Sequence, residues 1–304
     1  MISGTTRVAA VIGHPVSHSL SPALHNAAFA QLDLDWVYVA LDVEPGHVAD
    51  ALVGMSALGL RGLSVTMPHK EAVAGFLAER GRLSPSAATL RSVNTVVAGS
   101  DGVLEGHSTD GAGLVASLAA AGIDVAGASV FLIGGGGAAR AIADALARSG
   151  AGQIAVRNRT LQGAEATAAI VTSLGVAARV VGDGDGADAV SAADVVVNAT
   201  SLGMGVAAGD APSGSAAERA ALAVDPAALR PGQVVVDIVY HPRRTVLLSA
   251  AERAGAVTVD GLGMLVHQAV LQQELWHGQR PDAAIMTAAA ERHLAQRELD
   301  ARRQ

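Results

Sequence analysis

The chain has 304 residues, half of them hydrophobic, with 21 Lys+Arg against 28 Asp+Glu for a net charge of −7. That balance, together with only 2 % aromatic residues, excludes the basic stripe and stacking platforms of a nucleic-acid binder. The absence of cysteine excludes disulfides, thiolate-held zinc, iron–sulfur clusters and thiol catalysis. The hydrophobic content is too rich for disorder, and the length suits one large domain or two of roughly 150 residues. No apolar stretch runs about 18 residues without a charge, and the apolar run within residues 1–15 is too short for a secretory signal, so a cytoplasmic protein with no membrane partner is expected. All but one of the basic residues are arginine. The single lysine is Lys70, and the only asparagines are Asn26, Asn94, Asn158 and Asn198.

The predicted elements alternate along the chain. Residues 6–12 are apolar and β-branched and end at Gly13, which reads as a buried strand. A helix follows over 22–32, with Ser21 as its N-cap and Pro22 in its first turn. Strands at 36–41 and 62–65 enclose a helix at 47–57, and Pro68 opens another helix. Strands at 93–98 and 103–105 flank Gly99-Ser100-Asp101-Gly102, a hairpin signal. This first third therefore reads as an α/β unit with an antiparallel edge. Thr109-Asp110-Gly111 starts a helix that ends near residue 121, and Gly127 marks a fresh beginning. Strands at 129–133, 153–156, 194–197, 234–238 and 257–259 then alternate with helices at 138–149 and 164–174. Right-handed crossovers turn such a βα repeat into a parallel sheet. Loops are expected at 182–186 and 203–215, and helices at 264–276 and 282–297 close the chain. The charged tail, 292–304, reads as a solvated helix end.

Gly134-Gly135-Gly136-Gly137-Ala138-Ala139 fits the G-x-G-x-x-G/A turn between a strand and a helix. Gly134 would allow the tight turn, Gly136 the approach of a pyrophosphate, and Ala139 close helix–strand packing. The helix opening at Gly137 and Ala138 would present unpaired N–H groups to phosphate. The next strand ends in Arg157-Asn158-Arg159-Thr160, with no acid to bond a ribose diol. Guanidinium groups and a hydroxyl suit a 2′-phosphate, which favours NADP; Thr160 could equally cap the following helix.

The N-terminal third carries more specific chemistry. Gly13-His14-Pro15-Val16-Ser17-His18-Ser19-Leu20-Ser21-Pro22-Ala23-Leu24-His25-Asn26 is dense in hydroxyls just before a helix, and Ser19 and Ser21 with free N–H groups make a carboxylate site. His14 and His18 lack a carboxylate partner at ligand spacing, so no metal is expected. Lys70, in Ser64-Val65-Thr66-Met67-Pro68-His69-Lys70, and Asp110, in Thr109-Asp110-Gly111, both stand at element ends. A lysine oriented by an aspartate can move a proton to or from an alcohol. The same two residues could also be no more than a surface salt bridge.

Taken together, G-x-P-x-x-H-S-x-S-P-x-x-H-N, V-T-x-P-x-K, V-N-T and T-D-G resemble the shikimate/quinate dehydrogenase family. Gly134 to Ala139, Asn158-Arg159-Thr160, Asn198 to Met204, Asp237 to Pro242 and Gly261 to Gln268 agree in order, so the resemblance runs from about residue 7 to 276. It implies an N-terminal α/β substrate domain, 1–110, completed by 264–304, and a Rossmann NADP-binding domain, 111–263. It implies a catalytic pair, Lys70 and Asp110, in a cleft that closes on its substrate. Ser19 and Ser21 would bind the substrate carboxylate. Thr66, Asn94 and Gln268 would bind ring hydroxyls or orient Lys70, and Tyr240 would lie at the substrate–cofactor junction. Gly134, Gly136, Gly137, Ala138, Asn158, Arg159, Thr160, Thr200, Ile238 and Gly261 would bind the cofactor, Gly261 with its backbone toward the nicotinamide.

The implied reaction is reduction of 3-dehydroshikimate to shikimate by NADPH, in a monomer or homodimer. Three positions depart from the family pattern: Ser64 and Ser108 stand where Asn is frequent, and Gly163 where a basic residue is frequent. The first two keep a quinate/shikimate or aminoshikimate dehydrogenase open, and the third leaves Arg159 more alone. A non-catalytic nucleotide sensor of the same fold is the alternative from another class. A sensor would need neither Lys70 nor Asp110.

Overall fold

In the computed structural model, which describes residues 2–205 and 222–301, the two-domain α/β chain divides into unit 1 (1–109 with 266–304) and unit 2 (110–265). The sheet of unit 1 runs β2 (Trp36–Asp42), β1 (Arg7–Gly13), β3 (Gly62–Val65), β5 (Thr95–Ala98), β6 (Leu104–His107), β4 (Arg82–Leu83). β1 pairs in parallel with β2 and β3, while β3, β5 and β6 pair antiparallel. The continuous apolar run of β1 follows from cover on both faces. Ala10 and Ile12 join a core with Leu52, Val73 and Leu77, whereas Ala9 and Val11 face Phe29, Tyr38 and Trp276. The helices here are α1 (Ser21–Gln31), α2 (Val48–Ala57), α3 (Lys70–Arg80) and α4 (Pro85–Leu90).

Unit 2 holds β7 (Ser129–Ile133), β8 (Gln153–Arg157), β9 (Ala177–Val180), β10 (Val195–Asn198), β11 (Val234–Asp237) and β12 (Val257–Val259), all parallel, in the order β12-β11-β10-β7-β8-β9. In the unit's own numbering this is 3-2-1-4-5-6 read from the other edge, the doubly wound dinucleotide-binding order. Its helices are α5 (Asp110–Ala120), α6 (Gly137–Arg148), α7 (Leu161–Ser173), α8 (Gly186–Ala192) and α9 (Val246–Arg253). Helix α10 (Gly261–His277) leads out of this unit, and α11 (Ala283–Ala301) packs on α1.

Several expectations need correction. Ser21 is the first residue of α1 rather than its cap; Leu20 takes the N-cap position, and the Ser21 N–H donates to Ser19 Oγ at 3.2 Å. Residues 182–186 are not simply a loop, since a 3₁₀ turn at Asp183–Asp185 feeds α8, which buries Ala189 and Val190. The described part of the tail is a largely exposed helix end, as expected, but it is not wholly free of contacts: α11 buries Leu294, and Arg297 donates to the His18 and Ser17 carbonyls at 2.7 and 3.4 Å. The guanidinium thus straps the loop that carries Ser19. Residues 206–215 of the expected loop at 203–215 lie outside the described residues.

Candidate active site

In unit 2 the strand order reverses between β7 and β10, and ligands of doubly wound sheets bind at such a switch point. The glycine turn leaves β7 there. Gly134 has φ +129°, a conformation that disfavours a side chain, and the space its Cβ would take is filled by Ala199 and Ala139. A Cβ on Gly135 would meet the Asn158 amide and the Gly163 carbonyl, so this second glycine is required as well. Gly136 is the N-cap of α6 and faces open space, which leaves its backbone and the helix N-terminus accessible to a phosphate. Gly137 and Ala138 continue the first turn. Asn158 Nδ2 donates to the Thr160 carbonyl at 3.1 Å and to Thr160 Oγ1 at 3.0 Å. Thr160 occupies the N-cap of α7 but makes no side-chain cap bond. Arg159 is exposed and makes no ion pair among the described residues. A side chain at Gly163 would displace the Asn158 amide, so glycine there keeps the Asn158–Thr160 turn compact. These features fit a dinucleotide carrying a 2′-phosphate.

The ends of β10 and β11 are tied by a buried pair. Asn198 Nδ2 donates to Asp237 Oδ1 at 3.0 Å and to the Leu202 carbonyl at 3.2 Å, while its Oδ1 accepts from Thr200 N and Oγ1. Asp237 also accepts from Thr245 Oγ1 at 2.8 Å and the Val239 N–H at 3.1 Å. Burial outweighs these three donors and pushes the Asp237 carboxyl up to about 6. The pair anchors the turns bearing Thr200, Ile238 and Tyr240. The Gly261 N–H donates to the Val239 carbonyl at 3.2 Å, and a Cβ on Gly261 would collide with the Ile238 carbonyl. Asp110, buried, is the first residue of α5; its neighbour Gly111 lies so close to Ala141 of α6 that no side chain fits.

In unit 1, Ser19, Ser21, Thr66, Lys70 and Asn94 come from strand ends and helix starts, and Gln268 from the middle of α10. Lys70 is the first residue of α3, and its carbonyl accepts from the Val93 N–H at 3.0 Å, the residue before Asn94. Asn94 is buried: its Oδ1 accepts from the Thr109 N–H at 2.8 Å and Thr95 Oγ1 at 2.9 Å. Its Nδ2 donates to Thr109 Oγ1 at 2.9 Å and approaches Gln268 Oε1 at 3.4 Å. Behind it lie Ser64, already singled out as a departure from the family pattern, and Tyr38, Thr95 and Gln272, which the sequence reading did not assign to the site. His25 stacks on Tyr38 with ring centroids 4.2 Å apart and accepts at Nδ1 from Gln273 Nε2 at 3.0 Å. Burial pushes its imidazole down to about 3 and raises the Tyr38 phenol above its ordinary value. Among the described residues no helix is long and apolar enough to cross a membrane, and no group of three His, Cys, Asp or Glu could hold a metal.

Comparison with known proteins decides the family. Residues 11–96 match the shikimate dehydrogenase substrate binding domain, 116–228 shikimate / quinate 5-dehydrogenase, and 261–291 the shikimate 5′-dehydrogenase C-terminal domain. A shikimate dehydrogenase (NADP(+)) from Moorella thermoacetica is 43 % identical over 288 residues, covering 94 % of this chain and 92 % of that one. The chain belongs to the shikimate dehydrogenase family. Two solved members of that family are similar along nearly their whole length. Shikimate 5-dehydrogenase from Listeria monocytogenes, in complex with shikimate and NAD, is 35 % identical with a TM-score of 0.83, covering 94 % of this chain and 97 % of that one. Shikimate 5-dehydrogenase from Thermus thermophilus, in complex with NADP(H) and shikimate, is 35 % identical with a TM-score of 0.80, covering 94 % and 99 %. The resemblance read from the motifs is therefore correct at the level of family and fold. Gln272 was missed although it was within reach: it follows Gln268 by four residues on α10, which places both on one helix face.

Proposed function

We propose that the protein is an oxidoreductase acting on a CH–OH group, which reversibly reduces 3-dehydroshikimate to shikimate in chorismate and aromatic amino acid biosynthesis. NADPH supplies the hydride when bound. Lys70 gives a proton to the ring carbonyl oxygen in reduction and takes it back in oxidation, and Asp110 orients the ammonium. Ser19 and Ser21 bind the substrate carboxylate; Thr66, Asn94 and Gln268 bind ring hydroxyls; Tyr240 lies where substrate and cofactor meet. Gly134, Gly136, Gly137 and Ala138 hold the pyrophosphate, while Asn158, Arg159 and Thr160 hold the 2′-phosphate. Thr200, Ile238 and the Gly261 backbone complete the nucleotide side. The protein works on small molecules in the cytoplasm, as a monomer or homodimer.

The observation that carries this reading is the placement of the only lysine at the start of α3. Its backbone is tied to the strand end that presents buried Asn94. A lysine beside donors suited to hydroxyl groups is what proton transfer to a polyhydroxylated ring requires. The test is a kinetic matrix of shikimate, quinate and aminoshikimate against NADP and NAD. The highest kcat/KM is expected for shikimate with NADP. A clear preference for quinate with NAD would overturn the reading.

A further inference from the structure

The buried hydroxyls and amides behind Asn94 form a chain in which donation runs one way. Gln272 is 1 % exposed, and its Nε2 reaches the Asn94 backbone carbonyl at 3.2 Å and Thr95 Oγ1 at 3.1 Å. A backbone carbonyl only accepts, so it fixes which end of the Gln272 amide carries the hydrogens. Oε1 therefore faces Ser64 Oγ, 2.7 Å away, and takes the serine proton. Tyr38 donates to the same serine oxygen at 2.6 Å. With its one proton and one lone pair committed, Ser64 meets any further group as an acceptor. The other end is fixed as firmly. The Thr109 N–H only donates, which identifies the Asn94 atom facing it at 2.8 Å as Oδ1. Thr95, having accepted from Gln272, gives its proton to that Oδ1 at 2.9 Å. Asn94 thus turns its N–H₂ end toward Gln268 Oε1, which in turn makes the outer end of Gln268 a donor.

We infer that Gln272 is a positioning residue: by joining Ser64 to Thr95 it fixes the acceptor sense that Ser64 shows to the ring hydroxyls of the substrate, beside the sense of Asn94 and Gln268 that the Thr109 N–H fixes. This rests on the proposed assignment of Asn94 and Gln268 to those hydroxyls. Without the Gln272 amide, Ser64 and Thr95 can turn their protons either way. The site then loses the fixed pattern by which it rejects a ring lacking a hydroxyl, because specificity of this kind depends on buried polar groups left unpaired by the wrong substrate.

The experiment compares the wild type with Gln272→Met, similar in length but apolar, using NADP and shikimate or its 4-deoxy and 5-deoxy analogues. Gln272→Met is expected to raise KM for shikimate about tenfold and to lower the preference for shikimate over a deoxy analogue by a similar factor, with KM for NADP unchanged. Gln272→Glu adds a readout that a merely structural role would not move. Its protonated acid restores one donor and one acceptor, whereas its carboxylate sets acceptors against the Asn94 carbonyl, with the buried His25 imidazole as the titratable group facing it. The preference of Gln272→Glu should recover as pH falls and vanish as pH rises, while that of the wild type stays flat. If Gln272→Met does not fold, Thr95→Val breaks the next link and carries the same expectation. A wild type active on shikimate, with the preference unchanged in folded variants or with losses that follow Tm alone, overturns this inference only. A wild type inert toward shikimate overturns both it and the functional reading.

Discussion

Around Asn94 in unit 1 the buried polar groups include hydroxyls, amides and a phenol, and the imidazole stacked on that phenol, His25, is held neutral by burial. Unit 2 ties the ends of β10 and β11 with a carboxylate, Asp237, which burial holds at about 6. The difference matches what each unit must do. A substrate known by its hydroxyl pattern is best read by neutral groups of fixed donor and acceptor sense. A nucleotide is read by backbone N–H groups and guanidinium charge, and Asp237 serves only to hold the turns that frame it. Two consequences follow: the proton-transferring lysine and the cofactor affinity separate by unit, and the buried groups His25 and Asp237 answer pH with opposite signs.

The largest expected effect tests the first consequence. Lys70→Ala should lower kcat by about 10²–10⁴ while leaving KM for NADP unchanged. Steady-state kinetics with NADP varied at saturating shikimate checks it. Near-wild-type turnover would remove Lys70 from the chemistry.

The opposite pH responses come next. His25 ordinarily titrates near 6.5 and lies at about 3 in the folded protein. Below pH 6.5 the unfolded chain takes up a proton that the fold refuses, so stability falls with acid, by roughly 2 kcal/mol at about pH 5. Asp237 moves the other way, from 3.8 to about 6. Its contribution is complete below 3.8 and is lost as pH rises through 6, by roughly 3 kcal/mol over the window. Thermal unfolding from about pH 4 to about pH 7 separates them. Asp237→Asn should gain on the wild type as pH rises, and His25→Phe should gain as pH falls. Differences of the same sign would break the comparison.

Arg159→Ala sharpens the cofactor side. KM for NADP should rise about tenfold, with KM for NAD and for shikimate unchanged. Equal effects on both cofactors would defeat the 2′-phosphate assignment. The smallest effect belongs to the strap on the substrate loop. Arg297→Ala should raise KM for shikimate about two- to threefold, since an exposed hydrogen bond to a carbonyl is a modest restraint. KM for NADP should not move.

Much of this was legible in the sequence because buried strands write themselves plainly. The Val-rich runs of β10 and β11, covered on both faces, could be read with no knowledge of their neighbours. The glycine turn was legible because few other residues tolerate the φ of Gly134. Short or half-exposed elements were not. β9, Ala-Ala-Arg-Val at a sheet edge, lacks apolar alternation, and α4 is only six residues long. Helix α9 had a usable signal, since Thr245 caps it by accepting from the Leu248 N–H ahead of an apolar stripe. Ser21 misled because serine before a proline-led turn usually caps, whereas here the helix starts one residue sooner. The polarity of the Gln272 chain could not be read at all. It depends on which atoms of β3, β5 and α10 meet, and those contacts join residues up to 208 positions apart.

The account turns on Lys70 as the proton-transfer group, and the chain offers a direct measurement of it because Lys70 is its only side-chain amine. Amine-directed acylation, quantified on the Lys70 peptide by mass spectrometry, can be set against residual activity with and without saturating shikimate. The account predicts that activity falls in step with Lys70 labelling and that shikimate slows both. Full activity in enzyme whose Lys70 is stoichiometrically acylated would contradict it.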